Sequence, residues 1–205
     1  MLQREKRKLK MKLKSKDKVI FFATSNFHKF DEARRVLAEH GLAMGMLRVK
    51  ALEIQSDSLS DIAQSSAIDA FGRCHLPVIV EDAGLFINAL NGFPGPYSAY
   101  VYKTVGNVGL LKLMADVADR KATFQSVIAY YDGHGVPVCF EGEAAGKITS
   151  EEQRGNGKSG FGFDPIFQPA VSEKTFAEMA IEEKNCYSHR AKAISKLAKW
   201  CKKPL

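Results

Sequence analysis

The pattern of apolar and polar positions switches between two periods along the chain. Val19-Ile20-Phe21-Phe22-Ala23 is an unbroken apolar run, the pattern of a short strand buried on both faces. Thr24-Ser25-Asn26-Phe27-His28-Lys29 follows at once, and Thr24, Ser25 and Asn26 are turn and N-cap types. From Phe30, the apolar positions Phe30, Ala33, Val36 and Leu37 recur at helical spacing, and the spacing predicts a helix ending near His40-Gly41. A short strand is expected over residues 47–49. A helix starting at Ser60-Asp61 would bury Ile62, Ala63, Ser66, Ala67 and Ala70. Residues 77–80 form a second apolar strand that ends in Glu81-Asp82-Ala83-Gly84-Leu85.

Further along, Gly92-Phe93-Pro94-Gly95-Pro96-Tyr97 reads as a rigid loop. Residues 105–114 predict a helix with Val108, Leu111 and Met114 inward. Two apolar stretches, 123–131 and 136–144, flank Asp132-Gly133-His134-Gly135, a hairpin signal, and residues 146–149 are expected to continue the sheet. Four glycines and a polar run make a loop of residues 154–165. Ser188 is the expected N-cap of a last helix that places Ala193, Ile194, Leu197 and Cys201 on one side.

Length and charge refine this picture. With 205 residues, 45% of them hydrophobic, one domain, or one domain in two lobes, is expected. No apolar run is long enough to span a membrane, and the basic N-terminus lacks the apolar segment of a secretory signal. The net charge of +7 sits in the first 18 residues, which hold nine Lys or Arg and two acids and leave 21 of each in the remainder. Residues 1–17 therefore read as a solvated basic tail, and residues 18–205 as the folded domain. Contact of the tail with nucleic acid or an anionic surface stays open, as does an extension without a role, with Met11 an alternative start. Cys74, Cys139, Cys186 and Cys201 are scattered without ligand spacing, which reads as unpaired thiols in a reducing cytoplasm rather than structural zinc.

The chemistry gathers at a few places. A strand-to-helix turn offers N–H groups and a helix dipole to anions, and Lys29 adds a full charge; an ordinary capped turn fits the same residues. Glu81 and Asp82, like Glu53 among apolar neighbours, are costly carboxylates unless a metal or partner uses them; exposed acids in a turn are the plain alternative. Phe161 and Phe163 inside a glycine-rich loop suit stacking on a flat ring, or plugging of the core below. His189 and Arg190 in a first helical turn conflict with the dipole, which implies either a nearby acceptor or two side chains in solvent. Phosphate-binding Lys and N–H groups, carboxylates for Mg²⁺ and a stacking ring together describe a nucleoside triphosphate site with metal-assisted attack by water.

At these residues the chain resembles the inosine triphosphate pyrophosphatase family, the XTP/dITP diphosphatases. Thr24 to Lys29 is similar to the family's opening T/S-x-N-x-x-K, Glu81-Asp82-Ala83-Gly84-Leu85 to its E-D-S/T-G-L, and Gly92 to Tyr97 to its G-x-P-G-x-Y/F. Phe161-Gly162-Phe163-Asp164-Pro165-Ile166-Phe167 and Ser188-His189-Arg190 complete the set in order, across residues 19–200. The resemblance implies an α/β fold with an elongated mixed sheet and flanking helices, two lobes around a central cleft, and a homodimer. It implies Mg²⁺-dependent hydrolysis of ITP, dITP or XTP to the monophosphate and pyrophosphate, removing them from the nucleotide pool. Carried over, Asp82 would be the catalytic acid–base residue and a metal ligand, and Glu53 a second ligand. Thr24, Asn26 and Lys29 would hold the triphosphate, and Ser25 and Ala83 would also lie against the substrate. Phe161 would stack on the purine with Asp164 and Lys184 nearby, His189 and Arg190 would address the base at its 6-keto edge, and Gly162, Phe163 and Ser188 would also bind substrate.

Two departures stand out. Ala83 replaces the hydroxyl residue of many relatives, and Ser65 stands near where many carry a Lys. A related pyrophosphatase for other modified nucleotides, and a non-catalytic nucleotide or nucleic-acid binder, are the competing readings.

Overall fold

The computed structural model describes residues 19–153, 155 and 160–202; the basic tail and part of the glycine-rich loop lie outside them. Seven strands form one mixed sheet: β1 (Val19–Ala23), β2 (Ala43–Leu47), β3 (Val78–Ile87), β4 (Pro94–Gly95), β5 (Lys121–Tyr131), β6 (Val138–Ile148) and β7 (Phe167–Pro169). Their order is β2-β1-β3-β5-β6-β7, with β4 attached to β3. β1 runs parallel to β2 and β3, and the other pairings are antiparallel. Six α-helices flank the sheet: α1 (Phe27–Glu39), α2 (Leu59–Cys74), α3 (Ser98–Thr104), α4 (Gly106–Leu113), α5 (Ile181–Tyr187) and α6 (His189–Lys202).

The helical stripes lie where the periodicity places them. α1 buries Ala33, Val36 and Leu37; α2 buries Ile62, Ala63, Ser66, Ala67 and Ala70; α6 buries Ala193, Ile194 and Leu197. Three assignments differ. The second strand is Ala43–Leu47, not residues 47–49, because Ala43 to Leu47 pair in register with all of β1. In α4 Leu110 takes the buried place expected of Val108, which is exposed, while Met114 is buried and Leu111 packs against the core as expected. Glu81 and Asp82 do not end their strand: β3 continues to Ile87, since β5 pairs with it along its whole length.

That continuation shapes the molecule. β1 pairs with β3 only through Val78 and Ile79, and β4 rejoins the same edge at Leu85 and Phe86. Between them, among the described residues, the edge of β3 around Glu81 to Gly84 has no strand partner. Two cores cover the opposite faces at the β1 end, one around Phe22, Leu37, Ile79 and Ile194, the other around Ala63, Val78, Val80 and Ala129. A third packs Leu85, Ile87, Phe124, Phe163 and Phe176 at the other end. The open edge thus falls where one set of cores gives way to the next.

α6 seats closely on β6 at Gly142, where an added Cβ would lie 2.1 Å from the His189 carbonyl oxygen and 2.6 Å from Ala193 N. Both obstacles are backbone, so relief requires moving the helix. Gly142→Ala is expected to destabilise the fold by about 1–3 kcal/mol, read as a lower denaturation midpoint; an unchanged midpoint would show that α6 shifts freely.

Candidate active site

The turn after β1 is a built cap. Asn26 N donates to Thr24 Oγ1 at 3.1 Å, and Asn26 Oδ1 accepts from the His28 and Lys29 N–H groups at 3.0 and 3.2 Å. Asn26 Oδ1 is thereby committed to the helix start, so its Nδ2 amide is the donor it can offer to a ligand. Ser25 is exposed. Lys29, three residues beyond the cap, crosses to β3, where its Nζ donates to the Glu81 carbonyl at 3.3 Å and lies 3.5 Å from Glu81 Oε2. It therefore covers part of the strand edge that β1 leaves open.

Behind this edge lies a chain of buried charges. Arg190 Nε stands 2.8 Å from Glu81 Oε1, and Arg190 also pairs with Glu32. Lys184 Nζ donates to Glu32 Oε1 at 2.6 Å and to Asp164 Oδ2 at 2.7 Å. Ser126 Oγ donates to Glu81 Oε1 at 2.7 Å, and Asp164 Oδ2 also accepts from Phe161 N at 2.7 Å. Glu81, Glu32, Asp164, Lys184 and Arg190 are all at least nine-tenths buried. The chain joins α1, β3, α5, α6 and the segment after the glycine-rich loop, and it alternates in sign throughout.

Its electrostatics follow from that alternation. Burial raises the Glu81 carboxyl, but Arg190 and Lys29 outweigh it and hold the group down at about 2. Burial also raises Glu32, and Arg190 and Lys184 again prevail, so its carboxyl lies below the ordinary range. Asp164 is pushed up by burial, which Lys184 only partly offsets. Arg190 is raised despite burial, because Glu81 and Glu32 face it. His189 lies well below its usual range through burial and the Arg190 charge. Its neutral ring stacks on Phe124 at 4.7 Å, and its Nδ1 has no hydrogen-bond partner among the described residues. The dipole conflict at the start of α6 is thus relieved by a neutral histidine and two carboxylates beside Arg190. Ser188 Oγ caps the helix, accepting from Ala191 N at 3.1 Å.

Asp82 differs from its neighbour. Burial raises its carboxyl to about 6; Lys29 opposes this, and Glu53 and Glu81 add to it. Asp82 Oδ2 is buried without a hydrogen-bond partner among the described residues. Glu53 sits exposed on the segment between β2 and α2, close enough for Asp82 to register its charge. An orphaned carboxylate oxygen facing further negative charge suits a hard divalent cation held by oxygen donors.

The two phenylalanines of the loop separate. Phe163 is in the core, edge-on to Tyr102. Phe161 is half-buried, with Lys184 Nζ 5.1 Å and Arg190 Cζ 5.5 Å from its centroid. Gly162 takes a φ of 64°, and its carbonyl accepts from Asn107 Nδ2 at 3.3 Å. Ala83, half-buried, lies on the open stretch of β3. A cavity of about 390 Å³ opens beside Phe161, lined also by His28, Glu32, Gly160 and Lys184.

Sequence reasoning missed Glu32 and His28. Glu32 had a signal: it lies four residues before Val36, on the apolar stripe of α1, where a carboxylate needs a cation. His28 is exposed and carries no periodic signal. Glu32→Ala would leave Lys184 and Arg190 short of their shared anion. Breaking such a pair costs about 3–5 kcal/mol, so chemical denaturation should show a loss of that order; a loss under about 1 kcal/mol would mean the network reorganises without it.

Comparisons with known proteins agree on one relationship. The family model described as Ham1 family matches residues 20–200. The dITP/XTP pyrophosphatase of Methanopyrus kandleri is 49% identical over 183 residues, 89% of this chain and 96% of the relative. That of Thermococcus kodakarensis is 48% identical over 184 residues, 90% of this chain and 97% of the relative. The solved Ham1 protein of Coxiella burnetii superposes with a TM-score of 0.76 at 30% identity, covering 89% of this chain and 97% of the other. With the family model spanning the folded residues and relatives at this identity along nearly their full length, the chain belongs to the Ham1 family.

Proposed function

We propose that this chain hydrolyses non-standard purine nucleoside triphosphates, dITP, ITP and XTP, to the monophosphate and pyrophosphate. The observation that carries the reading is Asp82: a half-buried carboxylate whose buried Oδ2 has no hydrogen-bond partner among the described residues, on an open strand edge, beside Lys29 and the charge network that reaches Phe161. Relatives that bear the name dITP/XTP pyrophosphatase, at 46–50% identity, support the same substrate class.

In this reading the base stacks on Phe161, within reach of Asp164, Lys184, His189 and Arg190. The triphosphate runs toward Thr24, Ser25, Asn26, Lys29 and Ala83. Water attacks the α-phosphorus, its proton passes to the Asp82 carboxylate, and the bond to the bridging oxygen breaks to release pyrophosphate. A carboxyl near 6 is ionised at neutral pH yet basic enough to accept that proton. Lys29 and the N–H groups at the start of α1 offset charge on the phosphates. Asp82 and Glu53 would hold Mg²⁺, which when bound neutralises phosphate oxygens; phosphates and water would complete its shell.

The domain of this reading is residues 18–205, with the basic segment 1–17 outside it. A homodimer belongs to the same proposal, and Phe93, Tyr97, Tyr100 and Val108, all exposed, are its candidate contact residues. No described helix is long and apolar enough to cross a membrane.

Pyrophosphate release over a panel of nucleoside triphosphates with Mg²⁺ is expected to favour dITP, ITP and XTP over ATP and GTP. Equal rates across the panel would refute the substrate assignment. Asp82→Asn should lose about 10²–10⁴-fold in kcat while still binding nucleotide; near-normal turnover would remove Asp82 from its role.

A further inference from the structure

We propose that His28 is the second plate of a clamp that takes the purine between its imidazole and the Phe161 ring. The inference rests on the nucleotide reading above and assigns a binding role to a residue outside that reading's set.

The two rings are near-parallel, 5.2 Å between centroids with 16° between planes. They differ in how they are held. Phe161 is anchored from the interior: its N–H bonds to Asp164, and the buried Lys184 and Arg190 heads approach its ring. His28 is exposed, and only its backbone is fixed, through the Asn26 cap. His28 is the more exposed ring of the pair and Phe161 the more buried one, so the imidazole covers a face of Phe161 that a base would use. The adjoining cavity of about 390 Å³ lies in the size range of small-molecule sites, roughly 300–1,000 Å³.

A ring inserted between two plates needs two contact gaps of about 3.5 Å, so the plates must part by about 2 Å. His28 can make that movement by turning its own side chain, with the helix start unchanged. Phe161 cannot make it by turning its ring without giving up the approach of the buried Lys184 and Arg190 heads. His28 is therefore the mobile plate and Phe161 the fixed one. Stacking is tolerant of base identity, so the clamp adds affinity for every purine alike and leaves the choice among purines to the polar groups.

Steady-state hydrolysis of dITP, ATP and GTP and equilibrium binding of inosine monophosphate by His28→Ala, His28→Phe and His28→Lys test this. His28→Ala should raise KM for dITP and Kd for the monophosphate by about tenfold, with kcat within about twofold. The ratio of kcat/KM between dITP and the standard purines should not change. His28→Phe should restore wild-type values and His28→Lys should not. An unchanged or lowered KM and Kd in His28→Ala would overturn the clamp, marking the stack as a resting contact that the base displaces. Rescue by Lys but not Phe would overturn it too, in favour of a charge contact to phosphate. A wild type that neither binds nor hydrolyses dITP overturns both readings; a wild type that does both beside an unresponsive His28→Ala overturns only this one.

Discussion

The alternating chain Lys29–Glu81–Arg190–Glu32–Lys184–Asp164 is the constraint on which the site depends. Removing so many charges from water is costly, and mutual attraction offsets the cost only where each charge meets an opposite one in good geometry. Each segment that contributes a member is therefore held to the others at hydrogen-bond precision. α1, β3, α5 and α6 each bring one or two members, and the segment after the glycine-rich loop brings Asp164. An apolar core at this place could contribute as much stability. It could not fix the direction of Phe161, which is set by the Asp164 bond and the two cations, nor the position of Lys29 against β3.

The network works together with a gap in the sheet. β1 ends after Ala23, whereas β3 runs to Ile87, and β4 covers the exposed edge again only at Leu85 and Phe86. An unpaired stretch of strand leaves backbone groups in need of partners. Lys29 supplies one, at the Glu81 carbonyl. The same stretch carries Asp82, whose carboxylate is raised by burial where that of Glu81 is lowered by Arg190. Two adjacent acids thus take up protons in different pH ranges, Glu81 well below the ordinary carboxylate range and Asp82 above it, because their side chains alternate across the strand and meet different neighbours.

Much of this was legible in the sequence, and the remainder was not for identifiable reasons. Helical stripes such as Ala33, Val36 and Leu37, and the β5–β6 hairpin, follow from periodicity because burial selects side chains at those intervals. Four of the motif residues, Lys29, Asp164, Lys184 and Arg190, meet in one network, although they lie far apart in the chain. The length of β3 was not legible: glycine and two acids normally end a strand, and only pairing with β5 carries the chain through them. Val108 read as inward because α4 is short and apolar on several sides, so its sequence does not mark one face. His28 left no trace, since an exposed side chain that contacts a residue 133 positions away has no period to follow.

The arrangement also bears on where selectivity can reside. An aromatic plate accepts any purine, so Phe161 cannot by itself separate one base from another. Discrimination needs buried polar groups that a wrong base would leave unpaired. Near the Phe161 ring those groups are Asp164, Lys184 and Arg190, with His189 one residue before Arg190. Three of the four already have partners in the protein, whereas His189 Nδ1 has none among the described residues. His189 is also the member kept neutral by burial, so its ring presents one donor and one acceptor rather than two donors. Which ring nitrogen carries the proton then decides whether an oxo or an amino group is matched. On the reading proposed above, the interior that fixes His189 against Phe124 would be as much part of base recognition as the residues that touch the base.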